Sequence, residues 1–180
     1  PFFLPPSCGL LFAFEHYMIF LILHQEKEKT IVEIERKYLI HELPKDLEAF
    51  PSRKIEQAYL CIAPVVRIRR QDNDYYLTYK GKGMMMREEY NLPLTREAYE
   101  HLRTKADGII LSKTRYLLPL PKGLTIELDV FNAPYEGLWL AEVEFSTEEE
   151  ANSFVPPQWF GEDVTFSTAY HNSVLSRGKK

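Results

Sequence analysis

The stretch Thr30-Ile-Val-Glu-Ile-Glu-Arg-Lys-Tyr-Leu39 alternates as a β-strand does, with an unusual load on one side. Side chains of a strand alternate faces, so Glu33, Glu35 and Lys37 share one face while Val32, Ile34 and Tyr38 share the other, joined there by Arg36. Two carboxylates and an ammonium in a row are costly to bury. They make sense if that face looks into a wet, charged cavity while the more apolar face meets a core. The question for the rest of the chain is whether other strands carry matching charges.

Downstream, alternation punctuated by turn residues predicts antiparallel sheet, with further strands over 55–63, 65–70, 75–82, 87–92, 110–118, 124–131 and 138–145. Gln71-Asp-Asn-Asp74, Gly81-Lys-Gly83 and Leu120-Pro-Lys-Gly123 are built from residues that favour turns. Helices are expected near 45–50, from a Thr95 cap to about 106 with Gly108 beyond it, after a Thr147/Glu150 capping box to 155, and over 168–176.

The period of two, applied to each strand, places Arg67 with Arg69, Lys80 with Lys82, Lys113 with Arg115, Glu127 with Asp129, and Glu142 with Glu144. Arg87 and Glu89 share a face of the fifth strand. Antiparallel sheets commonly solvate one polar face, and cross-strand ion pairs are ordinary surface chemistry. A solvated face, however, usually mixes both signs with Thr, Ser and Gln. Here six of the seven charged strands put two like charges on one face, acidic towards the ends of the chain and basic in the middle. That segregation points to a shared interior.

A barrel of about eight strands has an interior just wide enough for side chains or one small ligand. Lys37, Arg67, Arg69, Lys80, Lys82, Arg87, Lys113 and Arg115 confined there would repel one another unless a polyanion sat among them. A phosphate chain suits them, since guanidinium forks match phosphate oxygens and lysine adds point charge. The carboxylates Glu33, Glu35, Glu89, Glu127, Asp129, Glu142 and Glu144 would repel that chain unless a divalent cation lay between, and oxygen-only ligands point to Mg²⁺ or Mn²⁺. Metal-assisted phosphoryl transfer follows. Without a Walker loop or a Ser/Cys nucleophile motif, direct attack of water is the simplest route.

The 180 residues suit one domain, with 45% hydrophobic and 27% charged residues and a net charge of -4 that argues against a broad nucleic-acid surface. Cys8 and Cys61 form neither a CxxC nor a metal cluster, which favours a reducing, cytoplasmic setting. The five histidines, His16, His24, His41, His101 and His171, are scattered and read as surface or packing residues. Residues 1–28 differ from the rest: 9–23 is strongly apolar but interrupted by Glu15 and His16, and shorter than the roughly 20 residues of a membrane helix. This extension reads as non-native or disordered, from a truncated or over-extended frame starting at Met18, ahead of a peripheral arm or an anchor.

Glu33-Ile-Glu-Arg-Lys37 matches the ExExK motif of the CYTH superfamily, the triphosphate tunnel metalloenzymes. Gln57-Ala-Tyr-Leu60, Arg67-Ile-Arg69, Leu77-Thr-Tyr-Lys80, Lys113-Thr-Arg115, Glu127-Leu-Asp129 and Glu142-Val-Glu144 follow in the family's order, and Val164-Thr165 through Tyr170, Asn172 and Leu175 resembles its closing segment. The resemblance covers about 31–175 and implies an α+β fold: an eight-stranded antiparallel β-barrel, or tunnel, with flanking α-helices, occupying 29–180. It implies metal-side carboxylates at Glu33, Glu35, Glu142 and Glu144, to which Asp129 is added from the acidic faces. Phosphate contacts are implied at Arg67, Arg69, Lys80, Lys113 and Arg115, with Lys82 and Arg87 added from the basic faces. Lys37 and Tyr59 are the candidate catalytic groups, and Glu89 and Glu127 further acidic lining. Asn91 stands where another acid is expected, and Met84-Met-Met86 beside the tunnel reads as gap-filling.

The function this implies is metal-dependent hydrolysis of inorganic triphosphate or a related polyphosphate. The same tunnel also supports class IV adenylate cyclase, thiamine triphosphatase, nucleoside or RNA triphosphatase and polyphosphate synthesis. A polyphosphate- or nucleotide-binding module without turnover is the non-enzymatic alternative, against which the acidic pairs argue. Trp139 and Trp159 read as packing residues rather than a platform for an organic group. The expected partner is a small triphosphate, with no nucleic acid, no membrane unless residues 1–28 are native, and a homodimer as an allowed assembly.

Overall fold

A sheet closes when one strand finds partners that link its two ends, and β1 (Ile31–Ile40) does this. In the computed structural model, which describes residues 31–178, one edge of β1 pairs antiparallel with β8 (Trp139–Glu144) from Glu35 to Leu39. The other edge pairs with β5 (Met86–Pro93) from Ile31 to Ile34, then with β9 (Phe160–Asp163) at Tyr38 and Ile40. The remaining wall is β2 (Ser52–Ile62), β3 (Val65–Gln71), β4 (Asp74–Lys80), β6 (Asp107–Pro119) and β7 (Thr125–Phe131). Their spatial order is β5-β4-β3-β2-β6-β7-β8-β1, and β1 returns to β5.

The eight barrel strands are those that alternation predicts, and β9 is additional. Among the described residues three α-helices accompany them: α1 (Arg96–Arg103), α2 (Glu148–Ser153) and α3 (Asn172–Leu175). Thr95 and Thr147 accept the expected cap hydrogen bonds from Ala98 N and Glu150 N. The helix expected over 168–176 is split into a 3₁₀ turn, Thr168–Tyr170, and α3. The reading of residues 1–28 lies outside the described residues, among which no helix is long and apolar enough to cross a membrane.

Burial follows the alternation with an inverted sign. In β4 the polar Thr78 and Lys80 are buried while Tyr79 between them is 38% exposed. The main apolar core lies outside the barrel wall: Ile34, Leu118, Ile126, Leu128, Ala141 and Val143 form a layer that Ala151 of α2 covers, with Trp139 and Trp159 at its margin. A second outer cluster joins Ala58 and Ile68 to Tyr99 of α1. Inside, one end of the barrel is filled by Tyr59, Leu111, Phe131 and Leu140, on the same faces as Gln57, Lys113, Asp129 and Glu142, and capped by Val164 and Leu175.

The C-terminal segment is fastened at that end by backbone contacts. Val164 N donates to Lys37 O (2.8 Å), Lys37 N to Thr165 Oγ1 (3.0 Å), Tyr135 Oη to Leu175 O (2.6 Å), and Ile109 N to Ser176 O (2.7 Å). Gly108 permits the last of these: its φ is +72°, and a Cβ there would stand 2.2 Å from Ser176 O. Gly123 has a similar φ of +76° but open space around it. Gly123→Ala is therefore expected to cost about 1 kcal/mol from backbone conformation alone, and Gly108→Ala at least about twice that. Urea denaturation of both variants checks this, and equal losses would show that the contact with Ser176 is not tight.

Candidate active site

The barrel encloses a cavity of about 200 Å³ whose lining is divided by strand. Carboxylates come from β1 (Glu33, Glu35), β5 (Glu89), β7 (Glu127) and β8 (Glu142, Glu144). Guanidiniums come mainly from β2 (Arg53), β3 (Arg67, Arg69) and β6 (Arg115). Lys37, Lys80 and Arg87 stand among the carboxylates, and Tyr59, Val65 and Gln71 complete the sheet's contribution. The rim is marked by Arg53 and Glu144, both exposed, whereas His171, Asn172 and Ser173 border the cavity from the C-terminal segment.

Ion pairs satisfy most of the acidic arc. Lys37 Nζ lies 2.9 Å from Glu142 and 3.5 Å from Glu35. Lys80 Nζ lies 2.5 Å from Glu33 and also pairs with Glu89, while Arg87 lies 3.1 Å from Glu33 and 3.6 Å from Glu35. Burial raises the Glu33 carboxyl, but Lys80 and Arg87 outweigh it and hold it at about 2. Burial likewise opposes the charge on Lys37, yet Glu142 and Glu35 raise it well above the usual lysine range. Lys37 is thus a fixed cation and hydrogen-bond donor rather than a base. Burial raises the Tyr59 phenol despite Arg67 and Arg69 nearby, so it too stays protonated.

Two parts of the lining are left out of balance. On the acidic side, Glu35 faces Glu144 directly across β1 and β8, and Glu127 faces Glu142 across β7 and β8. Like charges directly opposite destabilise a sheet. Glu144 has no ion-pair partner among the described residues, and burial together with Glu127, Glu33, Glu35 and Glu142 pushes its carboxyl up to about 7. Burial, with Glu142 and Glu33, also raises Glu35 despite Lys37. On the basic side, Arg69 has no carboxylate at ion-pair distance among the described residues and its buried Nε has no hydrogen-bond partner. Burial and the neighbouring Arg67 and Arg115 lower Arg69 to about 10.

A hard divalent cation fits the acidic imbalance, because the donors are carboxylate oxygens and their excess charge is what raises Glu35 and Glu144. Among the described residues no three carboxylates already converge at ligand distance. Lysine and arginine side chains hold them apart.

Three residues expected in the lining lie elsewhere. Lys82 is exposed beyond the end of β4, where Gly81 and Gly83 (φ +136°) break the alternation. Lys113 and Asp129 are fully buried against each other behind Arg115, whose Nε and Nη2 each donate to Asp129 at 2.7 Å. Arg115 also reaches Glu142 at 2.5 Å and Glu127. Asp129 therefore orients Arg115, and both its oxygens are taken up by Arg115 and Lys113 rather than presented to the cavity. Arg53 and Ser173 line the cavity without a part in the sequence reading, and Gln71, His171 and Asn172 line it although that reading gives them only as a turn residue, a surface or packing histidine and part of the closing segment. Arg53 shares the alternation of Tyr59, Gln57 and Ile55, but β2 begins at Ser52 rather than at 55. His171 lies in no strand, and burial with Lys37 and Arg87 lowers it to about 4.

The Glu144 shift sets a pH dependence. A carboxyl raised from 4.5 to about 7 leaves the folded chain holding a proton that the unfolded chain has released, so its contribution to stability falls as pH rises through that window. In metal-free protein with chelator, Glu144→Gln should gain thermal stability over the parent progressively from pH 5 to pH 8. A pH-independent difference in melting temperature would sink this account.

These features agree with what the chain resembles. It matches the CYTH domain over residues 32–173. A relative from Nitrosomonas europaea named inorganic triphosphatase is 39% identical over 150 residues, covering 81% of this chain and 97% of the relative. Another inorganic triphosphatase, from Acetivibrio thermocellus, is 35% identical over 113 residues, covering 61% of this chain and 70% of the relative. The crystal structure of the inorganic triphosphatase NE1496 superposes with a TM-score of 0.63 at 35% identity, covering 83% of this chain and 97% of that one. With its closed barrel, its segregated charges and a match spanning most of its length, the chain belongs to the CYTH domain family.

Proposed function

We propose that the protein hydrolyses inorganic triphosphate, or a related short polyphosphate, within the barrel by direct attack of water, with Mg²⁺ or Mn²⁺ as cofactor. The observation that carries this reading is the division of one enclosed cavity into a guanidinium arc and a carboxylate arc, which suits a phosphate chain on one side and a hard cation on the other. The inorganic triphosphatases among the relatives support it.

Arg67, Arg69 and Arg115 bind the phosphate chain through charge-assisted hydrogen bonds, and Arg69 arrives with an unmet donor. Lys80 and Arg87, now paired with Glu33 and Glu35, can turn to phosphate oxygens, and Glu33 and Glu35 would then hold the cation together with Glu142 and Glu144. When bound, the cation polarises the phosphoryl group and neutralises the charge on its oxygens. Lys37, held as a cation beside Glu142, donates to the phosphoryl oxygens or orients the attacking water, and Tyr59 donates from the cavity wall. The apolar fill at one end limits bulk water around these groups and strengthens their field.

The test is phosphate release from tripolyphosphate with Mg²⁺ or Mn²⁺, beside ATP and thiamine triphosphate, with tripolyphosphate expected to be the best substrate. Release from none of them would overturn the enzyme reading, and cyclic AMP formed from ATP would select the cyclase. Glu35→Gln should abolish metal-dependent turnover while binding persists. Arg69→Ala should weaken substrate binding by roughly 1.5–3 kcal/mol, the worth of a hydrogen bond to a charged group. Parental kinetics in both variants would remove these residues from the site.

A further inference from the structure

The rim of the cavity carries a cation that the reading above leaves unused. Arg53 sits two residues before Ile55 on the inward alternation of β2, exposed, and directly opposite Arg115 across the β2–β6 ladder. Among the described residues no carboxylate lies within ion-pair distance of Arg53, whereas Arg115 is bound to Asp129, Glu127 and Glu142. Two guanidiniums directly opposite one another destabilise a sheet unless an anion offsets them. The adjoining strand continues the pattern. Arg69 is paired with Gln57 and Gln71 with Ile55, so Arg69, Gln71 and Arg53 follow one another along the β2–β3 wall towards the rim. The buried Nε of Arg69, without a partner, shows independently that this wall is short of an acceptor.

We infer that Arg53 is a specificity-determining residue that holds a free terminal phosphate at the open rim, with Gln71 beside it, and so favours inorganic triphosphate over triphosphates esterified at that end. This rests on the triphosphatase reading. An unesterified terminal phosphate presents more charge and more acceptor oxygens to a guanidinium than an esterified one does. An organic group at this rim would meet the charged and amide side chains of Arg53, Gln71, Glu127 and Glu144 in the cavity lining, with Tyr76, the ladder partner of Arg69, as the nearest tyrosine on the inward alternation and Tyr59 at the inner end.

Steady-state kinetics of the full chain with tripolyphosphate, together with the affinity for ATP as a competing ligand, test this in Arg53→Ala and Arg53→Lys at fixed ionic strength. Arg53→Ala should raise KM for tripolyphosphate about tenfold, the size of one charge-assisted hydrogen bond at a partly screened site, with a smaller change in kcat. The affinity for ATP should change by less than about twofold on the same scale. Arg53→Lys should recover part of the loss. Equal losses for both ligands would mean that Arg53 acts only through the overall field, and no loss for either would mean that it faces solvent; both overturn the inference. A fall in kcat at unchanged KM overturns it too. If the parent protein turns over neither compound, it is not a triphosphatase. Calorimetric binding of tripolyphosphate to the parent and to Arg53→Ala then still decides the rim site, a tenfold loss supporting it and unchanged affinity refuting it.

Discussion

The desolvation of charge inside a closed barrel governs how this protein is built. Taking an ion out of water costs several kcal/mol unless well-placed opposite charge and hydrogen bonds offset it. The interior answers with ladders of pairs: Glu33 with Lys80 and Arg87, Lys37 between Glu35 and Glu142, Arg115 among Asp129, Glu127 and Glu142. Because the space inside, apart from one apolar end, is committed to charge, the main apolar cores lie elsewhere. They sit on the outer face of β1, β6, β7 and β8 and under α1, which explains why a barrel protein of this kind needs helices on its outside.

The pairing is incomplete in a particular way. It fails where carboxylates face carboxylates, at Glu35 with Glu144 and Glu127 with Glu142, and where the buried Nε of Arg69 has no acceptor among the described residues. A structural ion-pair network would be expected to close both gaps with each other. Instead the excess of each sign is held on a separate part of the wall, which is how an interior prepared for both a cation and an anion would look. The lysines and arginines now resting on carboxylates keep that interior ordered and can be traded for phosphate oxygens.

The barrel was legible in the sequence because its signal is a period of two, read strand by strand. Glu33/Glu35, Arg67/Arg69 and Glu142/Glu144 needed no tertiary information beyond it. The errors have local causes. Lys82 was assigned by extending the alternation through Gly81, where the strand has stopped. Lys113 and Asp129 do face inward, but facing inward does not distinguish the cavity surface from a buried pair behind it. Arg53 was missed because β2 starts three residues earlier than its apolar run. His171, Asn172 and Ser173 come from a segment with no periodicity, so only the fold brings them to the cavity.

That segment explains why the charged cavity has a direction. Leu111, Phe131 and Leu140 occupy inward positions that, one or two steps further along the same strands, are taken by Lys113, Asp129 and Glu142. The change from apolar to charged along single strands therefore divides the interior across its length. Leu175 and Val164 seal the apolar part, held by the Ile109–Ser176 and Lys37–Val164 backbone bonds. The bond from Lys37 N to Thr165 Oγ1 fastens the same segment to the lysine that pairs with Glu35 and Glu142. Low polarizability at the sealed end strengthens Coulomb interactions beside it, while the rim at Arg53 stays in water and screened. A phosphate chain lying along this axis would thus meet its strongest field at the inner end, next to Lys37 and Tyr59, and would be selected at the outer one.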